Sequence, residues 1–213
     1  MKIKALKRNF ILLIMALTLM NFFMNCSGFE GSSSSSSDPA SLISSKSELQ
    51  HYAIQSSEQL ARSLSSVTNI DFNSTIINEY NARKPLMSTD YTLGSVTAPM
   101  LISISNLSSQ FCNELVKKEV ALTANTRSYF LNTDFNKGLN DLTDQQFSLE
   151  IDMLSLKFWG RSVTDEERLI LNETKREFVL AIPEASRNSN TQTRNLMLST
   201  CTVMLSSFDF ITL

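Results

Sequence analysis

Three cysteines and a single histidine bound the nucleophilic and metal chemistry open to this 213-residue chain. A Cys–His or Ser–His–Asp centre would have to use His51, which stands among Gln50, Gln55 and Ser56. On that polar side of its segment it reads as a solvent-facing side chain. Zinc needs three or four ligands at defined spacings, and one His with dispersed cysteines supplies no such set. No C-x-x-C-H run attaches c-type haem, and five isolated glycines write no phosphate loop. No metal ligand and no cofactor-binding residue is assigned.

Two carboxylate pairs could in principle do acid–base work across a cleft: Glu166 with Glu167, and Glu173 with Glu177. Their positions suggest other roles. Glu166 and Glu167 fall in the first turn of a helix, where negative charge complements the backbone dipole. Glu173 precedes Arg176 by three residues, an ordinary helix-surface pair. Trp159, between Phe158 and Gly160, reads as closing the core of a helix hairpin rather than as an exposed ligand platform. No catalytic residue is assigned, and the chain is read as non-enzymatic.

The elements that would position these residues are helices. Gly numbers only 5 and Pro 4, which disfavours a turn-rich β-sandwich. Leu49, Ala53, Ser56, Leu60 and Leu64 share a helical face, so a first helix is expected from about Ser45 to Ser66. Ile76, Ile77 and Tyr80 suggest a short second helix, and Asn81 to Ser95 a loop. Thr97 with Pro99 starts the clearest helix, whose stripe Met100, Ile104, Leu107, Phe111 and Leu115 runs on to about Ala121. Tyr129, Phe130 and Phe135 should pin an irregular segment to the core. Capping boxes at Thr143–Gln146 and Thr164–Glu167 open two further helices. The first turns Phe147, Ile151, Leu154 and Phe158 inward and ends at Gly160. The second should turn Leu169, Ile170, Leu171, Phe178 and Ile182 inward until Pro183. Thr191 is expected to cap a last helix through Met197, Cys201, Met204, Leu205 and Phe208, lying across the hairpin of the previous two. The fold class is therefore all-α, a compact bundle of about five to six helices spanning residues 41–213.

Lys2, Lys4, Lys7 and Arg8 precede an apolar run from Phe10 to Met20, and no acidic residue stands before Glu30. That is the basic-then-apolar pattern of a secretory signal, too short for a comfortable membrane span of ~20 residues. Cys26 ends the segment. Residues 1–26 resemble a bacterial lipoprotein signal, in which cleavage precedes a cysteine that carries the lipid. Phe23, Met24 and Asn25 replace the usual Leu, small residue and Gly or Ala, and an uncleaved signal anchor is the alternative. The resemblance implies a signal peptide over 1–25, lipid attachment at Cys26, and a membrane contact through that lipid. Ser27 rather than Asp after the cysteine implies the outer membrane more than the inner. Residues 26–40, with the serine run Ser32 to Ser37, compose a flexible linker between anchor and domain.

With Cys26 given to lipid, two thiols remain, in a compartment that is oxidising. Cys112 stands beside Phe111 and Leu115, and Cys201 between Met197 and Met204, each on the apolar side of its helix. A disulfide between Cys112 and Cys201 is expected; the alternative is two separate buried thiols. After processing, 15 Lys and Arg face 21 Asp and Glu, a net charge of −6. No basic block remains, so nucleic acid is not a partner.

The segment Phe158-Trp-Gly-Arg-Ser-Val-Thr-Asp-Glu-Glu167, with the later Ser207 to Phe210, is similar to helical modules at the C-terminus of large exported proteins, some haem-containing. The mature chain also resembles helical envelope lipoproteins of predatory Gram-negative bacteria. These resemblances imply a fold and a compartment. The function they frame is a membrane-tethered, non-catalytic domain that binds a protein or a cell-wall component. The competing class is an enzyme, or an accessory subunit, in periplasmic polysaccharide or redox metabolism.

Overall fold

The longest helix among the described residues, α3 (Ala98–Ala121), is the axis of the bundle. The computed structural model describes residues 54–87 and 97–212, all within the unit Gln50–Leu213. The signal segment, Cys26, the linker and His51 lie outside the described residues. Thr97 accepts a hydrogen bond from the Met100 N–H and Pro99 fills the first turn, where its missing donor is not needed. Ile104, Leu107, Phe111 and Leu115 are at most 1% exposed. Each buried side chain of this size contributes about 1.5–3 kcal/mol, so α3 alone accounts for much of the driving force.

The first described helix, α1 (Ser57–Thr68), begins later than the apolar periodicity implies. Ser56 is its N-cap, in a capping box with Gln59, and Ile54 and Gln55 ahead of it are not helical. Ser56 therefore belongs to the entry, not to the stripe; Leu60 and Leu64 are the buried residues of the expected face. Asn69 closes α1 in the left-handed conformation. The next helix, α2 (Ser74–Arg83), is capped by Asn73 and buries Ile76, and a 3-10 turn at Lys84–Leu86 continues it into the region expected to be loop.

Both predicted capping boxes are present. Thr143 opens α4 (Asp144–Phe158), and Gly160 follows its end at φ +66°, a conformation glycine adopts without steric cost. Thr164 opens α5 (Asp165–Ala181), which stops before Pro183. α6 (Asn190–Leu205) is capped by Ser189, whose hydroxyl accepts from the Thr191 N–H, so Thr191 lies inside the helix rather than capping it. The chain then breaks at Ser206, and Phe208 begins a separate short helix, α7 (Phe208–Ile211), instead of continuing α6.

The fold is all-α: seven helices among the described residues, with one isolated bridge between Ile54 and Thr212 and no strand. α6 packs most extensively on α3, and it also touches α4 and α5. None of the described helices is long and apolar enough to cross a membrane. Tyr129, Phe130 and Phe135 pin the long α3–α4 connection to the core, all 8% exposed or less.

That connection requires glycine at one place. The Leu139 N–H donates to the Arg187 carbonyl at 2.7 Å, and a Cβ on Gly138 would stand 2.4 Å from the Asn188 Cα. The Gly138→Ala variant must push these backbones apart and is expected to lose about 1–3 kcal/mol. Urea unfolding reads this as a lower midpoint at unchanged slope; an unmoved midpoint would mean the segments separate at no cost.

Candidate functional site

The structure brings two of the sequence-nominated residues together. Cys112 on α3 and Cys201 on α6 form a disulfide, their Cα atoms 5.8 Å apart and both side chains fully buried. The bond joins the two helices that pack most extensively on each other.

Of the candidate carboxylates, Glu167 and Glu173 are each taken by an arginine. Glu167 accepts from the Thr164 N–H at 2.8 Å and from both terminal nitrogens of Arg161, at 2.9 and 2.5 Å. Arg161 also pairs with Asp209 at 2.9 Å, and its guanidinium lies over the Trp159 ring. The Trp159 indole N–H donates to the Met204 carbonyl at 3.0 Å, and the ring packs against the core. The two short motifs at 158–167 and 207–210 therefore meet at Arg161, in a clasp tying the α4–α5 turn to α7. Hydrogen bonding to Arg161 brings the Glu167 carboxyl down to about 2, so it stays ionised and has no proton to donate near neutral pH. Glu173 pairs with Arg176 on the surface of α5, and Glu177 is exposed beside them.

Sequence reasoning missed two buried acids, Glu119 and Glu150. Glu119, 1% exposed, accepts from the Tyr129 N–H at 2.9 Å and the Ser128 N–H at 3.1 Å. Glu150, with no exposed surface, accepts from the Asn132 N–H at 2.9 Å and the Thr133 hydroxyl at 3.2 Å, both on Oε2. Its Oε1 is buried without a hydrogen-bond partner. Arg127 spans the same loop, donating to the carbonyls of Glu119 and Thr133 at 3.0 and 2.7 Å over the face of Phe135. Burial raises the Glu150 carboxyl to about 7, against the pull of its two donors and of Arg127, while the Glu119 charge adds to the rise. A general acid must come within hydrogen-bond reach of its substrate, and Glu150 is sealed inside. Its role is to hold the 127–136 loop.

The signal for both acids was in the sequence. Glu119 continues the stripe Phe111, Leu115 by four residues, and Glu150 falls between Phe147 and Ile151 on the inward face of α4.

An open groove lies along the α4–α5 hairpin. Lys175, 7% exposed, crosses between the helices to the Leu142 carbonyl at 3.0 Å and the Asp144 carboxylate at 2.7 Å. Arg168 joins Asp152 at 2.6 Å further along. Beside these ties runs a groove of about 590 Å³ lined by Leu139, Leu142, Leu169, Glu173, Arg176 and Leu180. Leu169 is 72% exposed, Leu180 65% and Ile170 56%. This corrects the expected inward face of α5: only Leu171 is buried, Phe178 and Ile182 are half-buried, and Leu169 and Ile170 point to solvent. Three aliphatic side chains in water on one helix face mark a binding surface more readily than a catalytic one. Among the described residues no group of three or more His, Cys, Asp or Glu is placed to hold a metal ion.

Comparison with protein-family models, with curated proteins and with solved structures gave no match for this chain.

Proposed function

We propose that this chain is a lipid-anchored protein of a bacterial envelope whose helical domain works by binding a protein or cell-wall partner, without catalysis. The observation that carries the reading is the buried Cys112–Cys201 disulfide in a chain that opens on a basic and apolar export-type segment. Disulfides form and persist beyond the inner membrane and are rare in the bacterial cytosol. Cys26 then carries the lipid, the Ser-rich residues 27–40 space the domain from the surface, and the outer membrane is the favoured address. The carboxylates nearest Trp159 converge on Arg161 and are neutralised by it, which argues against an acid–base centre there. The apolar face of α5 supplies a surface for contact.

Cell fractionation tests the anchor. Cys26→Ala is expected to move the protein from the membrane pellet into the soluble fraction. Mass spectrometry that found an intact Met1 N-terminus in membranes would replace the lipid with an uncleaved helix and overturn the reading.

A further inference from the structure

The outward face of α5 has nearly the same chemistry read from either end. Counted from the midpoint between Thr174 and Lys175, Glu173 on one side mirrors Arg176 on the other, with opposite charge. Further out, Leu169 mirrors Leu180. Leu169, Glu173, Arg176 and Leu180 follow at steps of four, three and four residues, which is one continuous stripe along a helix. All four line the same groove, and all four are exposed.

We propose that this face is the contact surface for a second copy of the same chain, with the two α5 helices antiparallel about a two-fold axis at that midpoint. A two-fold interface brings one patch against itself, so that residue i meets j and j meets i. In this register Leu169 of each copy meets Leu180 of the other, and Glu173 meets Arg176. The Glu173–Arg176 pair already formed within α5 becomes half of a four-charge cluster of zero net charge. The apolar side chains of the facing helix enter the groove over Leu139 and Leu142. A parallel arrangement would stack Glu173 on Glu173 and Arg176 on Arg176, and like charges in register repel. The mirror order makes this stripe complementary to itself, which a second copy uses and an unrelated partner does not. One helix pair is a small interface, so the dimer forms where copies are concentrated. This inference does not depend on the lipid anchor.

The test uses the full chain, co-expressed as two differently tagged copies and recovered in detergent through one tag. Wild-type copies are expected to co-purify. Glu173→Arg against itself, and Arg176→Glu against itself, should each lose recovery by about tenfold or more, because both pairs then oppose like charges. Mixing one Glu173→Arg copy with one Arg176→Glu copy restores opposite charges across the axis and should restore recovery. A misfolded variant could not be rescued this way, so the mixed pair also controls for folding. Wild-type copies that fail to co-purify, single variants that pair as well as wild type, or a mixed pair that stays apart would each overturn the proposal.

Discussion

Reduction of the Cys112–Cys201 bond is expected to lower the unfolding free energy by about 4–5 kcal/mol. The bond closes a loop with a sequence separation of 89, and in the chain-entropy model the unfolded ensemble loses that much freedom when the ends are tied. Native strain would subtract from the figure. The measurement is a pair of denaturant titrations on the purified protein, with and without reductant. Comparing one protein with itself separates the bond from the sulfur volume, which Cys112→Ala with Cys201→Ala would also remove. Alkylation of the unreduced, denatured protein supplies the independent check. Labelling of both Cys112 and Cys201 there, together with titrations that superimpose, would mean the thiols are free and merely buried.

Stability should also fall as the pH rises from about 4.5 to about 7, by about 3 kcal/mol, and Glu150 is the cause. Its carboxyl has an ordinary value of 4.5 and is raised to about 7 in the folded chain. Between those values the folded state holds a proton that the unfolded state has released. Folding is therefore favoured most below about 4.5, and the advantage is lost as the pH climbs through 7. The gap is worth about 3 kcal/mol at 1.36 kcal/mol per unit. Glu167 titrates in the opposite sense but between 4.5 and about 2, below this window. Glu150→Gln keeps an acceptor for the Asn132 N–H and the Thr133 hydroxyl while removing the titration. Urea midpoints from pH 5 to pH 8 should then lose most of their slope. A variant as steeply pH-dependent as the wild type would assign the effect to another group.

Local signals proved the most legible. The boxes at Thr143–Gln146 and Thr164–Glu167, and Thr97 with Pro99, are decided within one turn of chain, and all three helix starts stand where they imply. The box at Ser56–Gln59 has the same form, but the apolar recurrence running through it suggested a longer helix. Recurrence reports a face, and it carries no information on what that face meets. On α3 it coincides with the core; on α5 it does not, because Leu171 and Lys175 face the bundle while Leu169 and Ile170 lie on the far side. Lys175, Glu119 and Glu150 escaped for the opposite reason. Charged side chains are read as surface, yet each of these is held inside by partners on other elements or loops: Leu142 and Asp144, Ser128 and Tyr129, Asn132 and Thr133. The groove depends on the same long-range packing.

The bridge between Ile54 and Thr212 is a small feature with a topological consequence. The Gln55 N–H donates to the Ile211 carbonyl at 3.0 Å and its side-chain amide to the Phe210 carbonyl at 2.9 Å, so the path into the bundle lies beside the path out. A fold whose two ends touch can be spliced into the surface loop of a host protein without stretching either partner. For the same reason a short peptide joining residue 212 to residue 54 would make the domain a closed ring, free to be reopened elsewhere.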